Sequence, residues 1–279
     1  MSRAEPRISF EYFPPKSEQG RVRLLQEVTP ALNALQPAFF SVTYGAGGTT
    51  RDTTAGIVAA IRDADIDVAP HLSFGGDERD AIGALLDTYR ARGIRRLVAL
   101  RGDTPSGMGS ATQLVYAREL VAFVREHSAD HFEIEVAAYP EIHPEAQSYD
   151  SDVRHLRAKL DAGANSAITQ YFYNVESYFY FLDQCAAAGI DKPIYAGVMP
   201  ITNYANLARF SRNCGAEIPR WICRRMEGYG DDQDSIRKFG VEVVAQLCQT
   251  LLDSGAPGIH FYTMNQVEPT RQIYQSLGL

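Results

Sequence analysis

Cysteine, tryptophan and basic residues are all scarce in this chain. Four cysteines occur, Cys185, Cys214, Cys223 and Cys248, together with a single tryptophan. The cysteines are widely spaced, form no CxxC pair and lie in the second half, which disfavours both a zinc ribbon and a disulfide framework and predicts buried free thiols. Lysine and arginine number 27 against 34 acidic residues, a net charge of -7 that argues against general affinity for nucleic acid or an anionic membrane. No apolar run approaches the roughly 18 residues that a membrane span needs. The first ten residues, MSRAEPRISF, lack the apolar core of a signal peptide, so the expected location is the cytoplasm. No GxGxxG follows the first strand, and nothing resembles a nucleophile elbow. His127, His131, His143 and His155 are not paired with acids at zinc-like spacing, so no metal site is expected.

What is present is a repeat of one unit. The 279 residues, 45% of them hydrophobic and 22% charged, suffice for a sizeable core. Short apolar runs at 7–13, 39–44, 67–74, 95–102, 133–140, 166–173, 193–200 and 258–263 read as parallel strands buried on both faces. Amphipathic stretches separate them. In VRLLQEVTPALNAL, Leu24, Leu25, Val28, Leu32 and Leu35 share a helical face; in RDAIGALLDTYRARG, Ile82, Leu85, Leu86 and Tyr89 do so, and Gly93 is the stop. The segments DAGANSAI, AAAGIDKPI and DSGAPGIHF each pass from a helix through glycine into the next strand. Eight such alternations in a chain of this length predict a closed α/β (β/α)₈ TIM barrel, with residues 1–279 as a single domain. An open doubly wound sheet is the alternative. A short helix is expected at IPRWICRRM.

In such a barrel the reactive residues gather at the C-terminal ends of the strands, and here those ends are unusually polar. The first strand, in ISFEYFPPK, carries Glu11 among aromatics and prolines. The others offer Thr43 and Tyr44, His71, Arg101-Gly102-Asp103, Tyr139 followed by His143, Gln170, and Tyr262 with Asn265. Singly, each has a plain structural reading: a hydroxyl closing the barrel mouth, a hydrogen-bonded core histidine, a local ion pair. Together they are harder to dismiss, because buried polar groups cost free energy unless they meet partners or a ligand. The YGAGGTTRDT loop has the glycines and cap residues of an anion cradle but no P-loop lysine, and a plain βα loop is the favoured reading.

Assembled in order, FEYFPPK, SVTYGAGGTTRD, PHL, LRGD, AAYPEIHPEA, KLDAGANSAITQYFY, GVMPI and HFYT-N resemble the methylenetetrahydrofolate reductase family over nearly the full chain, in its bacterial, catalytic-domain-only form. The resemblance implies a barrel that binds FAD and reduces 5,10-methylenetetrahydrofolate to 5-methyltetrahydrofolate. By motif, Thr43, His71, Arg101, Gly102, Asp103, Tyr116, Ala117, Tyr139, His143, Asp152 and Lys159 would contact FAD. Glu11, Asp103 and Gln170 would face the folate. Phe210, in LARFSR, matches an aromatic that stacks at the flavin, and Gln266 stands where the family commonly has arginine near the folate tail. His155 and Ala158 replace the usual asparagine and arginine.

The implied chemistry answers why a carboxylate ends an apolar strand. Opening the five-membered ring of the substrate requires a proton at N10, and a partly desolvated Glu11 can hold one near neutral pH. Asp103, with Gln170, would bind the amino-pyrimidine edge and favour the cationic iminium. The implied partners are small molecules, the folate and NADH or NADPH, with a homo-oligomer as the working form. The competing expectations are a non-catalytic flavin- or folate-binding subunit and a different flavin oxidoreductase on the same barrel.

Overall fold

The computed structural model describes residues 5–44, 51–74, 79–101 and 116–279. Strands β1 (Arg7–Tyr12), β2 (Phe39–Val42), β3 (Val68–Leu72), β4 (Arg96–Ala99), β5 (Glu133–Ala138), β6 (Ser166–Thr169), β7 (Ile194–Val198) and β8 (Gly258–Tyr262) are hydrogen-bonded in sequence order and close into a barrel. The described helices are α1 (Glu18–Arg23), α2 (Thr29–Asn33), α3 (Arg51–Asp63), α4 (Arg79–Ala91), α5 (Ala117–Ser128), α6 (Tyr149–Asp161), α7 (Val175–Ala187), α8 (Tyr204–Cys214), α9 (Arg220–Tyr229), α10 (Gln233–Asp253) and α11 (Glu268–Ser276). The (β/α)₈ expectation is met. Each expected strand is present and starts within a residue of its predicted place, but all eight end earlier, β6 by four residues. The aromatic run Tyr171-Phe172-Tyr173 is buried beyond the ladder, so an apolar pattern outlasted the pairing.

The chain forms two compact units. One comprises residues 1–8, 138–157 and 168–279, and the other residues 9–137 and 158–167.

In the 9–137 unit the strands pair in parallel with Glu11 opposite Ser41 and His71 opposite Val98. Alternation puts Phe10 and Tyr12 on the opposite face of β1 from Glu11. There the Tyr12 ring stacks on Phe40 at 5.1 Å. The first helical stretch is interrupted by a π turn at Leu24–Val28, between α1 and α2. Pro30 has no N–H to donate within a helix, and the wider turn just before it is closed by Thr29, whose hydroxyl also donates to the Leu24 carbonyl at 2.8 Å. Leu24, Val28 and Leu32 are buried as expected, with Leu25 and Leu35 at the margin. At the end of α5, Arg125 donates to the carbonyls of Ala129, Phe132 and Gly163 and to Asn165 Oδ1, tying the entries to β5 and β6 together. Glu135 is buried beside Arg96, 3.8 Å away, whose guanidinium lies over the Phe39 ring at 5.2 Å.

In the 168–279 unit, β7 and β8 pair in parallel, with Ala196 opposite Ile259. The IPRWICRRM helix is α9. At the start of β8, Gly258 has φ +158 and lies so close to Arg7 that a Cβ would be 2.0 Å from the Arg7 carbonyl oxygen. Glycine there lets the last strand meet the first residues of β1, where Arg7 N–H donates to the Pro257 carbonyl at 3.0 Å. Gly228, by contrast, stands within α9, and a Cβ added there would meet nothing within 4 Å. Gly258→Ala should therefore lose at least about 1–3 kcal/mol of stability through overpacking, whereas Gly228→Ala should be neutral or gain up to about 1 kcal/mol from helix propensity. Urea unfolding of both variants checks the contrast, and equal stabilities would contradict this packing.

Candidate active site

Three neighbouring strands bring one carboxylate, one hydroxyl and one imidazole together in the 9–137 unit. Glu11, the penultimate residue of β1, has a side chain only 16% exposed. Ser41, its register partner on β2, is fully buried and donates from Oγ to Glu11 Oε2 at 3.4 Å. His71 on β3 is 5% exposed, with Nε2 3.2 Å from the same oxygen. Burial of a carboxylate favours its protonated form, while donors directed at it favour the ionised form. This site applies both influences to one group.

The neighbouring strand ends supply further donors. Thr43, just past β2, is fixed by its own N–H to the Tyr12 carbonyl at 2.8 Å, and its carbonyl accepts from the Thr54 hydroxyl of α3 at 3.0 Å. Arg101 is half-buried just beyond β4. Lys159 of α6 donates from Nζ to the Ala137 carbonyl. Tyr116 is the N-cap of α5, its N–H held by Glu119 Oε2 at 3.0 Å, and Ala117 is the first residue of that helix. Gly102 and Asp103 lie outside the described residues.

The 138–157 and 168–279 unit carries the other predicted residues. The Asp152 carboxylate accepts from His143 N–H at 2.8 Å, and His143 Nδ1 accepts from Glu145 N–H at 3.0 Å. Nδ1 as acceptor places the imidazole proton on Nε2 when the ring is neutral. The Tyr139 ring stands edge-on to that imidazole at 4.5 Å. Gln170, following β6, turns Oε1 back to accept from Tyr171 N–H at 3.0 Å, which orients its NH₂ group as the donor end. Tyr262 donates to the Thr169 carbonyl at 2.7 Å. Phe210 is half-buried on α8. After β8, Met264 and Asn265 both have φ +54, an unusual left-handed pair. That turn delivers Gln266 to the rim of a cavity of about 590 Å³ that also exposes Arg237, Lys238 and Glu242.

Ser41 and Glu141 were missed by the sequence reading. Glu141 accepts from Glu217 N–H at 2.8 Å and Ser177 Oγ at 3.3 Å, and burial raises its pKa above the usual carboxylate value. It lines a crevice with Tyr139, Gln170, Tyr171 and Cys214. Burial likewise pushes the Tyr171 phenol up, with Cys214 adding to the effect. No signal in the sequence separated Ser41 from any other strand serine; only the β1–β2 register does. Among the described residues, no cluster of three His, Cys, Asp or Glu side chains could hold a metal, and no helix is long and apolar enough to cross a membrane.

A parallel eight-stranded barrel with a half-buried carboxylate, hydroxyls, an imidazole and an amide at its strand ends has the architecture of the (β/α)₈ enzymes. The profile of the family described as methylenetetrahydrofolate reductase matches residues 1–278. The 5,10-methylenetetrahydrofolate reductase of Escherichia coli (strain K12) is 40% identical over 273 residues, 98% of this chain and 90% of that protein. That of Buchnera aphidicola subsp. Schizaphis graminum is 40% identical over 272 residues, covering 97% and 91%. The chain belongs to the methylenetetrahydrofolate reductase family. Among solved structures, a Clostridium thermocellum protein described as binding two copies of 5-methyl-5,6,7,8-tetrahydrofolic acid shares the fold, with a TM-score of 0.69 at 18% identity, over 99% of this chain and 94% of that one.

The Asp152–His143 contact makes a prediction separable from chemistry. Asp152→Ala leaves the His143 N–H without its acceptor and should cost about 1–3 kcal/mol, whereas Asp152→Asn keeps an acceptor oxygen and should cost less than half of that. Urea unfolding of the two variants decides whether the hydrogen bond, and not the charge, holds the loop. Equal losses would assign the effect to charge.

Proposed function

We propose that this protein reduces 5,10-methylenetetrahydrofolate to 5-methyltetrahydrofolate with FAD as cofactor and NADH or NADPH as reductant, and that the whole chain serves as one catalytic domain. Family membership supports the reaction. The observation that carries the residue assignment is Glu11, a half-buried carboxylate at a strand end with a hydroxyl and an imidazole on one of its oxygens. A Zea mays relative named methylenetetrahydrofolate reductase (NADH) 1, 34% identical over 98% of this chain and 48% of its own length, favours NADH as donor.

The residues present fit an anionic flavin dinucleotide. Thr43, His71, Arg101 and Lys159 offer a hydroxyl, an imidazole and two cations, a donor set suited to the oxygens of an anionic dinucleotide. On this reading Thr43, His71, Arg101, Gly102, Asp103, Tyr116, Ala117, Tyr139, His143, Asp152 and Lys159 hold FAD. When bound, FAD supplies the two-electron carrier between nicotinamide and folate. Gln170 presents its NH₂ group to the pterin edge, and Asp103 offsets positive charge on the substrate. Phe210 stacks on the nicotinamide or pterin at the flavin, and Gln266 lies toward the folate tail.

Glu11 is the general acid. Its proton passes to N10 of the folate; the bond from N10 to the methylene carbon breaks with its electron pair going to N10, and the 5-iminium cation is left as the hydride acceptor. Binding of this developing cation against the new carboxylate is favoured by the low polarity around Glu11.

The two half-reactions demand different things of Glu11. Reduction of FAD by a nicotinamide requires no proton at N10, so Glu11→Gln should bleach with NADH at close to the wild-type rate. Reoxidation by methylenetetrahydrofolate should slow by about 10²–10⁴-fold, as read by stopped-flow absorbance. Wild-type reoxidation in the variant would remove Glu11 from the mechanism, and a wild-type protein that takes up no FAD would overturn the proposal itself.

Both arginines of α6 are engaged in structure: Arg154 pairs with Asp150, and Arg157 donates to the Ala188 carbonyl at 2.6 Å. Ala158→Arg restores the charge common in the family and should slow FAD loss on dilution, measured by the fluorescence of released flavin. Unchanged or faster loss would count against an electrostatic role for that position.

A further inference from the structure

His71 and Glu11 face each other across the ends of β3 and β1. His71 Nε2 is buried without a well-aligned hydrogen bond, yet Glu11 Oε2 lies 3.2 Å away. Two bare acceptors at that distance would repel, so a proton belongs between them. Ser41 already donates to the same oxygen at 3.4 Å. Oε2 is thereby a double acceptor, and the proton that Glu11 gives up as an acid belongs on Oε1.

Resting on the reading of Glu11 as the general acid, we infer that His71 and Ser41 are its positioning residues: His71 in its Nε2–H form and Ser41 both donate to Oε2, selecting Oε1 as the proton-bearing oxygen and stabilising the carboxylate left behind. The geometry follows from the register. Glu11 and Ser41 are directly paired across β1 and β2, and Ser41 is paired with Ala69, two residues before His71 on the same face of β3. Adjacent strands thus put three side chains on one face with no contribution from a loop. Hydrogen bonds to an ionised acceptor are about twice as strong as those to a neutral one. Two donors on Oε2 therefore stabilise the carboxylate more than the acid. They leave the protonated form competent and favour the transfer itself: the O–H bond at Oε1 breaks, its electron pair stays on the carboxylate, and the proton forms a bond to the folate nitrogen.

The test uses the full-length protein with two readouts. In ¹⁵N-histidine NMR, His71 should show the Nε2–H tautomer in the flavin-free wild type, and Glu11→Gln should shift its Nε2 resonance while leaving the other histidines in place. An Nδ1–H tautomer, or a His71 signal indifferent to Glu11→Gln, would overturn the proposal. In half-reactions on the FAD-loaded enzyme, His71→Ala should slow reoxidation by methylenetetrahydrofolate by about 10–100-fold more than it slows reduction by NADH. His71→Gln, whose amide N–H can reach the same oxygen, should recover most of the loss. In a Glu11→Gln background His71→Ala should add little, because the group it positions is gone. Equal slowing of both half-reactions, no recovery in His71→Gln, or full additivity with Glu11→Gln would each overturn it. A wild-type enzyme that methylenetetrahydrofolate fails to reoxidise overturns the proposed function instead, and the NMR result still decides the contact.

Discussion

A polar side chain between strands that are buried on both faces must be compensated by its neighbours or by a ligand, and this fold meets that constraint in two ways. Glu135 on β5 is 1% exposed and has a permanent cation beside it, the Arg96 guanidinium, which is itself spread over the Phe39 ring. Arg96 also pairs with Glu133, so one guanidinium serves a buried and an exposed carboxylate of β5 together. Glu11 on β1 meets a hydroxyl and an imidazole at the same oxygen. Both groups tolerate either protonation state of the acid. The two glutamates thus differ in the partner each meets, a permanent cation at Glu135 and a hydroxyl with an imidazole at Glu11.

Much of this architecture was legible in the sequence because parallel strands and amphipathic helices leave separate periodicities. The alternation of apolar runs with helical stripes located every strand, and the helix faces of Leu24, Val28 and Leu32 and of Ile82, Leu85, Leu86 and Tyr89 are the buried ones. Glycines read as helix stops behave so, Gly93 with φ +73 and Gly189 with φ +75. Strand ends were less legible. Tyr171 to Tyr173 are as apolar and as buried as a strand, but they cover the end of the barrel outside the ladder. The π turn before Pro30 was also invisible, since its apolar spacing differs from that of a regular helix by a single residue.

The candidate site was legible in its residues and not in its pairings. Glu11 stood out because a carboxylate among aromatics is costly, and His71 because it ends an apolar strand. That the two meet is a matter of register between β1, β2 and β3, which no local pattern encodes. Ser41 is harder still: within FFSVTY it is an ordinary strand serine, and its place opposite Glu11 alone makes it relevant. His143 and Asp152 were read as ligand contacts, and the fold uses both to shape the loop after β5.

The choice of partner also separates the permanent cations of α6, Arg154, Arg157 and Lys159. Arg154 and Arg157 add positive charge to α6, yet one is held by Asp150 and the other by the Ala188 carbonyl. Lys159 is the remaining permanent cation of that helix, and its ammonium rests on the Ala137 carbonyl, a neutral acceptor. An ammonium has three donors, so a bond to a carbonyl orients it without neutralising it. Arg154 is thus bound within its own helix and Arg157 to the end of α7, whereas Lys159 ties α6 to the end of β5 through a backbone oxygen.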